Sequence, residues 1–200
     1  MMVVCAANHA PVAMTLPIDG HHAQNARFRA QWDTPKPFLK QAWKTIVTAK
    51  VRNQASLLTA LGRAEGEALA FMAERTRSGD PDNIEAQAAR RYWPALMGEE
   101  FRRDRSAKGA NALLNYGYTI MRSMVARAVV AAGLHPTIGL HHANRLNAFA
   151  LADDLVEPFR PLVDAVVRQL LDEGVEEVDR AAKMRLAALI SADVELMGST

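Results

Sequence analysis

From Pro35 onward the apolar positions of this chain recur at intervals of three and four residues, the spacing of one face of an α-helix. Phe38, Ala42, Trp43, Ile46 and Val47 share such a face with lysines opposite, and Gly62 is a natural stop. A second helix is predicted over Glu65 to Arg75, followed by the turn-rich TRSGDPDN. Pro81 and Asp82 open the next, whose interior carries Glu85, Ala88 and Ala89. The segment Ala107 to Ala132 has apolar residues nearly all round it, among them Leu113, Leu114, Tyr116, Ile120, Met124 and Val125, and is expected to be the central helix, ended by Gly133. A last helix takes in Val178 to Ile190, with others flanking the segment between.

The first thirty residues read differently. VVCAANHAPVAMTLPIDG is interrupted by Pro11, Pro17 and Gly20, so irregular or short extended structure is expected, with Met2 to Ala6 as an edge strand lacking its sheet. No strong alternation follows residue 35 and no internal repeat is visible. The predicted fold is all-α: an irregular multi-helix domain over residues 35–200, preceded by a short extended stretch over 1–34.

Composition narrows the class. Half of the 200 residues are hydrophobic, enough for a real core. The single Cys5 excludes an intrachain disulfide, no secretory leader pattern precedes it, and the apolar runs fall short of the roughly 20 residues that cross a bilayer, so a cytoplasmic location without membrane contact is expected. A net charge of +2 does not by itself argue for nucleic acid. The cations cluster, however: Arg90 and Arg91 adjoin Tyr92 and Trp93, and Arg102, Arg103, Arg105 and Lys108 follow, interrupted by Asp104.

The chemistry concentrates in Leu134 to Pro161, LHPTIGLHHANRLNAFALADDLVEPFRP, which places a doubled histidine, a doubled aspartate and a glutamate between apolar residues. Asp154 and Glu157 are three apart and on one helix would point the same way. Two such carboxylates repel unless a proton or cation lies between them, which suits Mg²⁺ or Mn²⁺. The residues also admit plainer readings. His142 can be a packed core histidine, Asp153 and Asp154 can favour a helix N-terminus, and Glu157 can pair with Arg160. One histidine among oxygen donors argues against structural zinc.

Longer blocks carry a resemblance that spacing does not supply. LPIDGHHAQNARFRAQ from Leu16, KTIVTAKVRNQASLL from Lys44, DPDNIEAQAARRYWPALMG from Asp80, the run LNYGYTIMRSMVARAVVAAG continuing through the histidine-rich segment from Leu114, and Ile190 to Met197 together span nearly the whole chain. In these blocks, kept in order, the sequence resembles the CRISPR adaptation integrase, a metal-dependent endonuclease that inserts new spacers, in the branch accompanying the large single-protein effector nuclease. The resemblance covers largely that family's C-terminal helical domain. It implies that residues 1–34 are the remnant of an N-terminal β domain and its linker, which in full-length relatives serves dimerisation and docking of a small partner protein.

The resemblance also implies a ligand set. Glu85 in NIEAQAAR, His142 in GLHH and Glu157 in DLVEPFRP would hold one Mg²⁺ or Mn²⁺ and so form the catalytic centre. His141 would be a supporting neighbour, and Asp154 an acid that supports the ligands or faces DNA. Asn144, Arg145 and Asn147 are candidate DNA contacts. Asn53, Gln54, Asn115 and Tyr116 would orient the metal loop or DNA, or bond within the core. Arg160 would grip a carboxylate or a phosphate. Tyr92 and Trp93 either stack on a base or, more in keeping with their spacing, pack between helices. The implied reaction is attack of a 3′-hydroxyl on a phosphodiester at a repeat boundary, the expected partners being double-stranded DNA (foreign segment and CRISPR repeat), the small second protein of the integration complex, and a second copy. The rival readings are a non-catalytic helical DNA-binding or complex-assembly fragment, in which Glu85, His142 and Glu157 fail to converge, and a metal-dependent nuclease unrelated to spacer uptake.

Overall fold

The computed structural model describes the backbone of residues 2–5 and 11–15 and all atoms of residues 22–141 and 146–190. Its N-terminal strands, β1 (Met2–Cys5) and β2 (Pro11–Thr15), pair antiparallel, Met2 opposite Thr15 and Val4 opposite Ala13. The strand expected to stand alone therefore has a partner, which satisfies one of its two hydrogen-bonding edges. Everything else with regular structure is helical: α1 (Gln24–Trp32), α2 (Lys36–Ala60), α3 (Glu65–Glu74), α4 (Ile84–Met97), α5 (Ala110–Ala131), α6 (Ala150–Leu155), a 3-10 turn (Glu157–Phe159), α7 (Arg160–Asp172) and α8 (Arg180–Ala188). The all-α expectation holds for the bulk of the chain. Helix α1 lies in a stretch that reads as irregular; it has no buried residue, hence no apolar face to betray it. It is held instead by polar contacts, Gln31 Nε2 donating to the carbonyls of His135 and Ile138 at 2.9 Å and its amide oxygen accepting from His135 N–H at 2.8 Å.

Helix α2 starts after Pro35, with Pro37 in its first turn where the missing N–H costs nothing. It ends before Gly62, whose φ of 66° favours glycine. Its buried face runs through Trp43, Ile46, Val47, Val51, Gln54, Ala55 and Leu58. Phe38, predicted on that face, is 62% exposed and borders a cavity shared with Gln31 of α1 and Ile138. Together with Leu69 and Ala73 of α3 and Ala88, Tyr92 and Leu96 of α4, this face makes one core cluster. A second joins Leu113, Leu114 and Met121 of α5 to Val163, Val167 and Leu170 of α7 and Leu186 of α8. Trp93 and Met97 of α4 touch both clusters. Gly117 sits where α5 meets α7 and α8: a Cβ there would collide with Val163 Cγ1 and lie 3.1 Å from Leu186 Cδ2. The central place predicted for α5 is thus shared with α2, which contacts α3, α4, α6, α7 and the 3-10 turn. No helix among the described residues is long and apolar enough to cross a membrane.

The loop Asp80 to Asn83 fixes the start of α4. The Asp80 carboxylate accepts the N–H groups of Ile84 at 2.7 Å and Glu85 at 3.1 Å, and Asn83 accepts that of Ala86. Both residues adopt positive φ, 49° and 54°, a conformation Asn and Asp tolerate better than most. The helix therefore starts at Ile84, two residues beyond Asp82, and Glu85 falls in its first turn.

Candidate functional site

Three charged side chains from distant parts of the chain meet beside the first core cluster. Lys50 of α2 directs Nζ to Glu85 Oε1 of α4 at 2.6 Å and to Glu157 Oε2 of the 3-10 turn at 2.5 Å. Two such contacts on one nitrogen put the carboxylate oxygens within about 5.1 Å of each other. Arg160 Nε holds the other oxygen of Glu157 at 2.8 Å. Burial by itself would lower the lysine's pKa and raise that of Glu157. The carboxylates, Glu157 before Glu85, outweigh burial at Lys50 and hold its ammonium above the ordinary range. Lys50 and then Arg160 outweigh it at Glu157 and hold that carboxyl below its ordinary value. Both groups are accordingly charged across the neutral range.

The support beneath Glu157 is specific. Asn53, one turn along α2 from Lys50, donates to the Pro158 carbonyl at 2.8 Å and so pins the 3-10 turn. Asp154 does not join Glu157 on one face. Helix α6 ends at Leu155 and the tighter turn that follows rotates the two acids apart. Asp154 is fully buried, so it is not a DNA-facing acid; its Oδ2 accepts the N–H groups of Leu140 and His141 at 2.6 and 3.0 Å. The His141 ring stacks on buried Trp43, centroids 4.2 Å apart and planes inclined by 2°. One carboxylate and one indole thus fix the chain immediately before His142, which lies outside the described residues together with Asn144 and Arg145. Asp153 turns elsewhere, to Arg122 and Asn147.

A cavity of about 260 Å³ opens next to Glu157, walled by Lys50, Gln54, Ala89, Trp93, Arg103, Arg105, Tyr118, Arg160 and Asp164. Its deepest polar group is Asp164 of α7, which accepts the hydroxyls of Tyr92 at 2.7 Å and of Tyr118. Burial raises the Asp164 pKa to about 6 although both hydroxyl bonds pull it down. Tyr92 is therefore a core residue; Trp93, half-buried, lies edge-on to it and borders the cavity.

A divalent cation fits part of this arrangement. Two hard oxygen ligands already converge on a positive charge, the donor chemistry Mg²⁺ and Mn²⁺ prefer. Among the described residues no three His, Cys, Asp or Glu side chains converge as a complete metal site. Lys50 and Asp164 were not singled out by sequence. For Lys50 a signal existed: it stands three residues after Val47 and four before Gln54, a charge beside the buried face of its helix.

Comparison with known proteins decides the family. Residues 1–189 match the profile of CRISPR associated protein Cas1. The chain belongs to the Cas1 family. It is 39% identical over 174 residues to a CRISPR-associated endonuclease Cas1 of Neisseria meningitidis serogroup C, an alignment covering 86% of this chain and 57% of that relative. The chain thus spans little more than half the length of this curated Cas1 relative. Two solved structures share its fold. One is a casposase bound to integration product, with a TM-score of 0.74 and 20% identity over 94% of this chain and 62% of that one. The other is a partial Cas6-RT-Cas1–Cas2 complex, with a TM-score of 0.69 and 18% identity over 94% and 68%. The Cas1 family assigned from the motif blocks is the family found.

Proposed function

We propose that this chain carries the catalytic centre of a Cas1 integrase, in which Glu85, Glu157 and His142 hold one Mg²⁺ or Mn²⁺ and a 3′-hydroxyl of a short foreign duplex is joined to a phosphodiester of a CRISPR repeat. The carrying observation is the convergence of Glu85 and Glu157, from α4 and the 3-10 turn, on a single cationic nitrogen at 2.6 and 2.5 Å. On this reading residues 35–200 form the catalytic domain and residues 1–34 lead into it.

Glu85, His142 and Glu157 would hold the cation, whose chemistry there would be to polarise non-bridging phosphate oxygens and offset charge on the entering or leaving oxygen. The chain's own residues then have separate tasks. Asp80 sets Glu85 in the first turn of α4 through its backbone N–H. Asn53 and Arg160 hold the 3-10 turn and the Glu157 carboxylate, limiting the rotamers that carboxylate can visit. Asp154 and Trp43 hold the strand of chain that leads into His142. Lys50 keeps the acid pair from repelling and is available to a phosphate oxygen once displaced from between them.

The proposed partners follow the same reading: double-stranded DNA, in keeping with the integration product bound by the casposase of the same fold, and the small second protein of the integration complex, in keeping with the Cas1–Cas2 assembly. Self-association and a cytoplasmic location complete it. The test is strand transfer and cleavage on a branched half-site duplex bearing the matching repeat, with Mn²⁺ or chelator, against His142→Ala. Product that requires metal and is lost in the variant supports the reading. Absence of product from folded, DNA-binding protein would favour a non-catalytic assembly fragment.

A further inference from the structure

Helix α1 buries no residue of its own, yet one of its side chains holds the loop that runs from the end of α5 to His141. The Gln31 amide oxygen accepts the His135 N–H at 2.8 Å, and its nitrogen donates to the His135 and Ile138 carbonyls, both at 2.9 Å. Arg27, one turn before Gln31 on the same face, donates to the Ala132 carbonyl at the C-terminal end of α5. The Phe28 ring lies edge-on to the His135 imidazole, centroids 5.4 Å apart.

The opposite side of the loop is tied to α6 and the residues just before it. The Pro136 carbonyl accepts the Leu151 N–H at 2.8 Å, the Thr137 hydroxyl donates to the Ala148 carbonyl at 2.8 Å, and Asp154 takes the N–H groups of Leu140 and His141. Toward α1 the packing is thinner. Leu134, Ile138 and Leu140 border a cavity of about 400 Å³ shared with Phe38 and Leu39 of α2. Side chains that line a cavity lack contact atoms on that side, so dispersion does little to fix where the loop sits there. The three Gln31 bonds do so instead, holding His135 and Ile138 toward α1 while Asp154 holds Leu140 and His141 toward α6.

Resting on the reading of Glu85, His142 and Glu157 as cation ligands, we propose that Gln31 is a positioning residue for that centre, and that α1 docking and cation binding support one another through the loop. With α1 docked, the loop is held from both sides and the chain leading into His142 is delivered in one place. With α1 released, the cost of ordering that chain falls on cation binding, and affinity drops by the fraction of molecules in the competent state. Linkage makes the effect reciprocal: a cation that binds better when α1 is docked must hold α1 down by the same factor. A pull on α1 from its N-terminal side thereby tunes the cation affinity of a centre that α1 does not supply with a ligand.

The test follows Mn²⁺ uptake by calorimetry and amide hydrogen exchange of α1 with and without Mn²⁺, both on the full chain. Gln31→Met keeps the length and helix propensity of the side chain and removes its three bonds. It is expected to weaken Mn²⁺ binding about tenfold, the low end for residues that orient a ligand from behind. The melting temperature in EDTA should fall by no more than about 3 °C, because α1 buries no apolar side chain. A role confined to fold stability would not move the second readout: Mn²⁺ should slow exchange across Gln24–Trp32 in the wild type and not in Gln31→Met. Trp32→Ala, a change at a side chain 77% exposed on the same helix, is expected to bind Mn²⁺ as the wild type does. Wild-type Mn²⁺ affinity in Gln31→Met, an equal loss in Trp32→Ala, or α1 exchange indifferent to Mn²⁺ in the wild type would overturn the coupling alone. No Mn²⁺ uptake by the wild type, or uptake undiminished in Glu157→Gln, would overturn the metal reading and the coupling with it.

Discussion

Replacing Lys50 with methionine removes the ammonium between two acids while keeping most of the side-chain volume in a half-buried site. The lysine, Glu85 and Glu157 side chains are 12%, 26% and 9% exposed, so solvent can do little for Glu157 and somewhat more for Glu85. Stripping one partner from a fully buried pair costs about 3–5 kcal/mol. Here Glu157 keeps Arg160 at 2.8 Å, and the exposure of Glu85 screens its share, which brings the expected loss to about 2–3 kcal/mol. For a chain of this size that is a fall in melting temperature of roughly 5–10 °C in EDTA. Manganese should then act more strongly on the variant than on the wild type, because binding no longer has to move an ammonium off both carboxylates, and ligand stabilisation grows as the logarithm of concentration over Kd. The assay is thermal unfolding of both proteins in EDTA and across a Mn²⁺ titration. A variant that melts with the wild type in EDTA, or gains no more from Mn²⁺ than the wild type does, would refute the idea that lysine and cation compete for one pair of acids.

Asp154→Ala strands the N–H groups of Leu140 and His141, so a stability loss of about 2–3 kcal/mol and weaker Mn²⁺ binding are expected together; a folded variant with wild-type calorimetric affinity would show that Asp154 does not serve the His142 loop. Asp164, with its pKa raised to about 6, favours the folded state when protonated, so its burden is present above that pH and is relieved as pH falls through 6; from pH 7 to pH 5 the wild type should gain about 1 kcal/mol relative to Asp164→Asn in urea unfolding, and parallel pH profiles would refute this. Glu157 has the opposite sign: its pKa is held below the ordinary value, so the stability it contributes is present above that value and is lost as pH falls further, which Glu157→Gln should abolish in acid-unfolding curves. Gly117→Ala forces a methyl against Val163 and Leu186 and should cost about 1–3 kcal/mol in chemical denaturation; an unchanged midpoint would mean that α5 and α7 can separate freely.

By itself the sequence determined the helices whose apolar positions recur at helical spacing, since that periodicity is a property of neighbours on a single element: α2 along one face through Trp43, Ile46 and Val47, and α5 as a segment apolar nearly all round through Leu113, Leu114 and Ile120. It determined the stop at Gly62, where backbone conformation selects the residue, and, through its long motif blocks, the Cas1 family. Helix α1 escaped because it is held by amide-to-carbonyl bonds from Gln31 and not by an apolar face. Only the tertiary structure decided which charges meet. Spacing put Asp154 and Glu157 together, yet the end of α6 at Leu155 sent one to backbone N–H groups and the other to Lys50. Lys50, Glu85 and Glu157 share no local register, and neither do Asp164, Tyr92 and Tyr118. Their association exists because burial of the apolar faces of α2, α4, α5 and α7 brings polar groups from separate elements into low dielectric, where each must find a partner from another part of the chain.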